Sequence, residues 1–283
     1  MIRSVLCLLL AFASAALAQN LPPPADNRSA SYALSTYNCS SKTGCEPPFQ
    51  GHRGDWSVGT VDRVEMETGA PFRIDTASGP TFYGKSAAAI QGDRVSLQNH
   101  VQMANFEKWT DLLQVPKKPR AGPAHASASV RDRLTITGAE GTAYLLPIYE
   151  LDGSFVIAGE KFLDSWIAVC PGTGPRCIPK LWGSSAGVSS VHESYQPAPD
   201  QTLEVRMGKP FLYFATIYSF ILPQRAKVTT ALSGTFRQDH SVESTVRLVG
   251  VSITDQQGKE IRGVQVTSES GFPYPVMPPG TAR

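Results

Sequence analysis

Residues 211–222 read FLYFATIYSFIL, an apolar run closed on one side by Pro210 and on the other by Pro223. A membrane span needs ~20 such residues, so this run is too short to cross a bilayer. Its length, its aromatic and β-branched content and its proline brackets fit a strand buried on both faces of a sheet. The rest of the chain carries the same signature. Twenty-four glycines and 22 prolines punctuate short apolar runs among the 283 residues, the spacing of an all-β protein.

Working outward from that run, VRDRLTITG (Val130 to Gly138) places Leu134 and Ile136 on one face and Arg133, Thr135 and Thr137 on the other, a half-buried strand. TAYLLPIYELDGSFVIAG (Thr142 to Gly159) is apolar on both sides of Asp152-Gly153. That dipeptide tolerates the positive φ angles of a two-residue loop, so the sequence predicts a hairpin there. A second hairpin is predicted from TVRLVGVSITD through QQGK to EIRGVQVTSES. Asp255 to Gly258 forms its type I turn. A phase change beside Gly250 predicts a β-bulge, and a similar slip falls at Gly263. NFEKWTDLLQ (Asn105 to Gln114) spaces Phe106, Trp109, Leu112 and Leu113 along one helical face and predicts one short helix ended by Pro116. PKKPRAGPAHA (116–126) follows as a proline-rich connector whose Lys117, Lys118 and Arg120 read as a solvated loop.

The first 18 residues have the form of an export signal: Arg3, an apolar core, and Ala16-Leu17-Ala18 before Gln19. Cys7 belongs to that segment and its context is not a lipobox. Loss of Arg3 leaves 25 of the 26 basic side chains against 24 acidic ones, so no polyanion and no nucleic acid is implied as a partner. The expected organisation is a signal over 1–18, an extended segment with a cysteine pair over 19–50, one β-sandwich domain over 51–276, and a tail over 277–283. In an oxidising compartment the four remaining cysteines favour disulfides. Three connectivities are open, and the close spacing favours Cys39 with Cys45 and Cys170 with Cys177. These gaps are wider than those of zinc knuckles.

Chemistry-bearing motifs are few. VCPGTGPRCI (Val169 to Ile178) lacks the third glycine of a phosphate cradle, and Pro175 removes a backbone donor, so it reads as a stapled turn. Gly183 to Gly187 (GSSAG) fits G-x-S-x-G, with Ser185 as the nucleophile and Asp239 and His240 downstream in triad order, but the flanking residues supply no elbow helix. His52, His100, His125, His192 and His240 stand singly, with no metal-binding spacing. Asp255 offers one carboxylate where calcium wants six or more oxygens. Arg53-Gly54-Asp55 is an RGD tripeptide, which needs a protruding loop to be presented. No cofactor is implied.

Three phrases in the second half carry a resemblance: Asp132 to Gly138 (D-x-L-T-I-T-G), Gly208 to Phe211 (G-x-P-F), and Thr267 to Pro275 (T-S-x-S-G-x-x-Y-P) closing the final hairpin. On these, from about Ala126 to Pro275, the chain resembles the extracellular β-sandwich domains of exported bacterial proteins that bear a C-terminal Pro-Glu-Pro sorting signal (PEP-CTERM proteins). The resemblance implies a jelly-roll-like antiparallel sandwich at or outside the envelope, and no catalytic motif travels with it. The usual sorting tail is replaced by YPVMPPGTAR, so release without an anchor is the expectation. Two functions follow. One is a non-catalytic structural or adhesive module binding an extracellular glycan or an envelope protein. The other is a carbohydrate-active enzyme using dispersed carboxylates such as Glu160, Asp164 or Glu193 at the spacings that glycoside hydrolysis needs. Non-reducing peptide mapping of exported protein is expected to return Cys39 linked to Cys45 and Cys170 to Cys177. A link between Cys39 and Cys177, or four titratable thiols, would overturn the local pairing.

Overall fold

A computed structural model describes residues 30–38, 50–68, 81–106, 124–159, 163–171, 178–182, 187–195, 202–223 and 236–280. These residues form two antiparallel sheets packed face to face as a β-sandwich. The first sheet contains β1 (Ser31–Asn38), β2 (Gln50–Asp55), β6 (Ala124–Thr137), β8 (Leu163–Pro171), β9 (Ile178–Trp182), β12 (Phe211–Pro223) and β14 (Gln265–Ser268). Its order is β2-β1-β6-β12-β8-β9, with β14 added on β6. The second contains β3 (Val61–Thr68), β4 (Thr81–Gln91), β5 (Arg94–Phe106), β7 (Thr142–Gly159), β10 (Gly187–Tyr195), β11 (Leu203–Arg206) and β13 (Phe236–Thr254). Its order is β10-β7-β13-β5-β4-β3, with β11 on β7. The stretch read as an extended N-terminal segment thus supplies β1, an inner strand of the first sheet.

The apolar run at 211–222 is β12, flanked by β6 and β8 and buried along most of its length, as a strand covered on both faces should be. In β6, Leu134 and Ile136 are sealed in the core while Arg133 and Thr137 are exposed. The bulge expected at Gly250 is present as a register shift between Leu248 and Gly250 against β7.

Two expectations are corrected. Asp152-Gly153 is no hairpin: β7 runs through it as one 18-residue strand, with Gly153 paired to Ser244 on one side and Val191 on the other. Pairing along both edges satisfies this backbone more fully than a tight turn could, so tertiary context overrides local turn propensity. The closing hairpin keeps its turn, with Gly258 at φ 77° and its N–H donating to Asp255 O at 3.0 Å. Its second arm, however, meets β13 only at the bridge between Thr254 and Glu260, and then crosses to the first sheet as β14. Of the proposed helix, Asn105 and Phe106 belong to β5, and residues 107–114 lie outside the described residues. Among the described residues no helix occurs.

One buried charge organises this crossing. Asp132 shares the inward phase of Leu134 and Ile136 and is 0% exposed. A buried carboxylate costs several kcal/mol unless its oxygens are filled by donors. Here Oδ1 accepts from Arg133 N at 2.8 Å and Ser270 N at 3.2 Å, and Oδ2 from Ser270 Oγ at 2.5 Å and the Tyr274 hydroxyl at 2.6 Å. Burial, and then the Asp132 charge, lift the Tyr274 hydroxyl far above its ordinary range, so it remains a donor at any working pH. Around it, Phe272 packs on Trp56 with ring centroids 4.8 Å apart, and Val251 N and Met277 N exchange bonds with Pro275 O and Val251 O. A Cβ on Gly250 would stand 2.7 Å from Pro275 O, which is why this bulge carries glycine.

A second polar link joins the two sheets. Ser86 Oγ reaches Asn38 Oδ1 at 2.5 Å and Asn99 Oδ1 at 2.7 Å, and Asn99 Nδ2 donates to Ser219 Oγ at 2.9 Å, all four residues being buried. Asn38 and Ser219 belong to the first sheet, Ser86 and Asn99 to the second. Removing an acceptor that serves several buried donors should cost the fold about 3 kcal/mol or more. Asp132→Ala is therefore expected to lower the urea midpoint strongly, while Glu269→Ala, an exposed neighbour of Ser270 whose side chain makes only a surface ion pair with Arg133, leaves it nearly unchanged. A loss below about 1 kcal/mol for Asp132→Ala would remove the carboxylate from this role.

Candidate functional site

Among the described residues, those marked by motif do not converge. Cys39, Cys45, Cys177, Ser185 and Glu160 lie outside the described residues, and Cys170 is placed by its backbone opposite Thr216 in β12. Asp239 and His240 stand on opposite faces of β13: Asp239 faces outward, half-buried, and His240 is sealed in the core at 0% exposure. Burial holds the His240 imidazole down to about 4, so it is neutral. The partner of Asp239 is His100, whose Nε2 lies 2.9 Å from Oδ1, with Gln102 Nε2 donating to Oδ2 at 2.8 Å. Asp164 lies in β8 of the first sheet and Glu193 in β10 of the second, so these two carboxylates come from different layers. Asp255 Oδ1 accepts from Gln257 N and Lys259 N, both at 2.9 Å, and serves its turn. Among the described residues no group of three or more His, Cys, Asp or Glu side chains could hold a metal ion.

RGD is strand, not loop. Arg53, Gly54 and Asp55 end β2 at the edge of the first sheet, paired with Ala33, Tyr32 and Ser31. A Cβ at Gly54 would lie 2.8 Å from the Tyr32 ring. The aromatic ring lies over the glycine opposite it, a cross-strand arrangement that protects an edge glycine. From there the Tyr32 hydroxyl donates to Asp62 Oδ2 at 2.5 Å, and His52 Nδ1 sits 3.1 Å from Asp62 Oδ1. Partial burial and the Asp62 bond raise the Tyr32 hydroxyl to about 12.

What the fold does bring together is the outward face of the second sheet. Alternation along β3, β4, β5, β13, β7 and β10 sets Glu65, Ala87, Gln98, Glu243, Ser154 and Ser190 in one row across six strands. The neighbouring row is Arg63, Ala89, Ser96, Thr245, Asp152 and His192. Several side chains of this face are held by hydrogen bonds within and across strands. Arg63 Nη2 donates to Glu65 Oε2 at 2.6 Å and Gln98 Oε1 at 3.2 Å, Ser96 Oγ lies 3.3 Å from Thr245 Oγ1, and Arg247 Nη2 donates to Glu150 Oε2 at 2.5 Å. His192 Nδ1 meets Asp152 Oδ1, and that contact raises the imidazole above its ordinary value. Glu243, exposed between Gln98 and Ser154, has no hydrogen-bond or ion-pair partner among the described residues. Val156, 40% exposed, is a large apolar side chain on this face. No sequence motif marks these positions. The signal that could have found them is the outward phase of each strand, and that becomes a surface only once the strand order is known.

No protein-family model matches the chain, and no curated protein matches it. A solved structure described as "Structure of infectious bursal disease virus Gx strain" aligns with 88% of this chain and 57% of that chain, at 10% identity and a TM-score of 0.15. A likeness that slight carries no argument about fold or function.

Gly54→Ala should push the Tyr32 ring aside and release its bond to Asp62. The expected loss is about 1 kcal/mol of stability. In an alkaline titration the Tyr32 hydroxyl should move from about 12 toward its ordinary 10.0. An unshifted Tyr32 titration would show that the glycine is not there to seat the ring.

Proposed function

We propose that this chain is an exported, non-catalytic β-sandwich protein that works by binding at or outside the cell envelope, and that the outward face of the second sheet is its binding surface. The observation that carries the reading is the row from Gln98 through Glu243, Ser154 and Ser190, a set of amide, carboxylate and hydroxyl groups laid out on rigid paired strands. The backbone that carries these groups is fixed by strand pairing and loses little freedom when a ligand arrives. Hydroxyls and amides spaced along strands offer alternating donors and acceptors, the complement of a polyhydroxylated chain. Glu243 near the centre of the row disfavours an acidic polymer, so a neutral extracellular glycan is the ligand of choice, ahead of an envelope protein.

The export-type N-terminus and the resemblance to PEP-CTERM extracellular domains support the location. Less supports the carbohydrate-active enzyme, since Asp164 and Glu193 belong to different sheets.

Purified protein is expected to co-sediment saturably with neutral cell-surface polysaccharide and to release no sugar. Ser154→Tyr and Glu243→Lys, surface changes that should alter stability by no more than about 0.5 kcal/mol, should weaken that binding at least tenfold. Binding left intact by both variants would move the site elsewhere, and sugar release abolished by a single carboxylate substitution would replace the proposal with the enzyme.

A further inference from the structure

His125 is a buried group that the binding surface does not use. It lies at the start of β6 on the outward side of the first sheet, opposite the face that carries Ala124 and Ala126 into the core. It is nevertheless only 4% exposed. Tyr37 of β1, its register partner, stacks on the imidazole with ring centroids 4.7 Å apart, and Tyr218 of β12 tilts against it at 5.9 Å. Phe220, its register partner on the other side, is also buried. Among the described residues neither ring nitrogen has a hydrogen-bond partner.

Those two unpartnered nitrogens decide the chemistry. A neutral imidazole loses one donor and one acceptor on burial here, whereas an imidazolium would bury a full charge with two strong donors unmet. The titratable groups facing it are Tyr37 from β1 and Tyr218 from β12, both neutral phenols whose hydroxyls burial lifts, Tyr218 to about 12. Among the described residues no carboxylate faces the ring to stabilise a proton on it.

We propose that His125 is an acid trigger, and that its protonation requires Tyr37 and Tyr218 to part and opens the outward aromatic layer of the first sheet. Burial alone holds the imidazole down to about 3 in the folded chain, against an ordinary value of 6.5. The sign follows from that depression. The unfolded or opened chain takes up the proton below about 6.5 and the closed chain does not, so the contribution of this site to stability is complete above 6.5 and is lost as pH falls toward about 3. Each pH unit in that window favours the open form about tenfold. His240, held down to about 4 by burial in the core, adds a separate loss in the same direction, while the raised His192 works against both. The difference made by substituting His125 alone isolates its share.

The test follows the folding constant of the full chain between pH 6 and 4.5 in urea, together with binding of an apolar dye without denaturant. In the unsubstituted protein dye binding should rise with acidification. His125→Phe, which keeps an aromatic between the tyrosines, should reduce the slope of the logarithm of the folding constant by about one proton and suppress the rise in dye binding. An unchanged slope and unchanged dye binding in His125→Phe would overturn the proposal. Should that variant fail to fold at pH 7.5, NMR titration of the His125 ring in the unsubstituted chain decides: a ring that stays neutral below pH 5 while the fold is intact supports the trigger, and one that titrates near 6.5 in the folded state refutes it.

Discussion

A carboxylate with no water around it has to be surrounded by donors, and Asp132 obtains them from a segment about 138 residues away in sequence. Ser270 gives it both its N–H and its hydroxyl, and Tyr274 adds a phenol. That requirement explains why the chain leaves β13 after one bridge and crosses to the first sheet, when a simple hairpin would have been the shorter route. It also gives the phrases D-x-L-T-I-T-G and T-S-x-S-G-x-x-Y-P a shared meaning. The aspartate of the first and the serine and tyrosine of the second are the two halves of one buried hydrogen-bonded cluster.

Where sequence reasoning succeeded, the deciding physics was local. β12 was legible because an apolar run of that length between prolines has few other uses, and the β6 faces because alternation at period two leaves a visible stripe. Gly250 was legible because a phase change must be absorbed somewhere, and glycine absorbs it cheaply. The failures came where distant partners outweighed local preference. Asp152-Gly153 is good turn sequence, but Thr245 and Ser244 on one side and His192 and Val191 on the other hold it extended. Of the helix expected from Asn105, only the first two residues are described, and they lie in β5, where Phe106 pairs with Phe236 of β13.

The candidate site was legible to a smaller degree. Composition and spacing could say which motifs were weak, and Asp239 with His240 shows why: two adjacent residues of a strand point to opposite faces, so one meets His100 while the other is sealed in the core. Asp132 shares the inward alternation of Leu134 and Ile136, but nothing near it in sequence names its partners. The row from Gln98 to Ser190 draws on four strands and depends entirely on strand order. No local pattern contains that information.

The Asp132 cluster also sets an order of events for a chain made from one end. Most of both sheets is synthesised before Ser270 exists, so until that residue arrives Asp132 has only the Arg133 amide among its four donors. The inner layer therefore cannot close stably early, and contacts spanning more than a hundred residues make the final closure slow. Under the proposed export such lateness would be useful, because the element that locks the fold would follow nearly everything else through the translocation step.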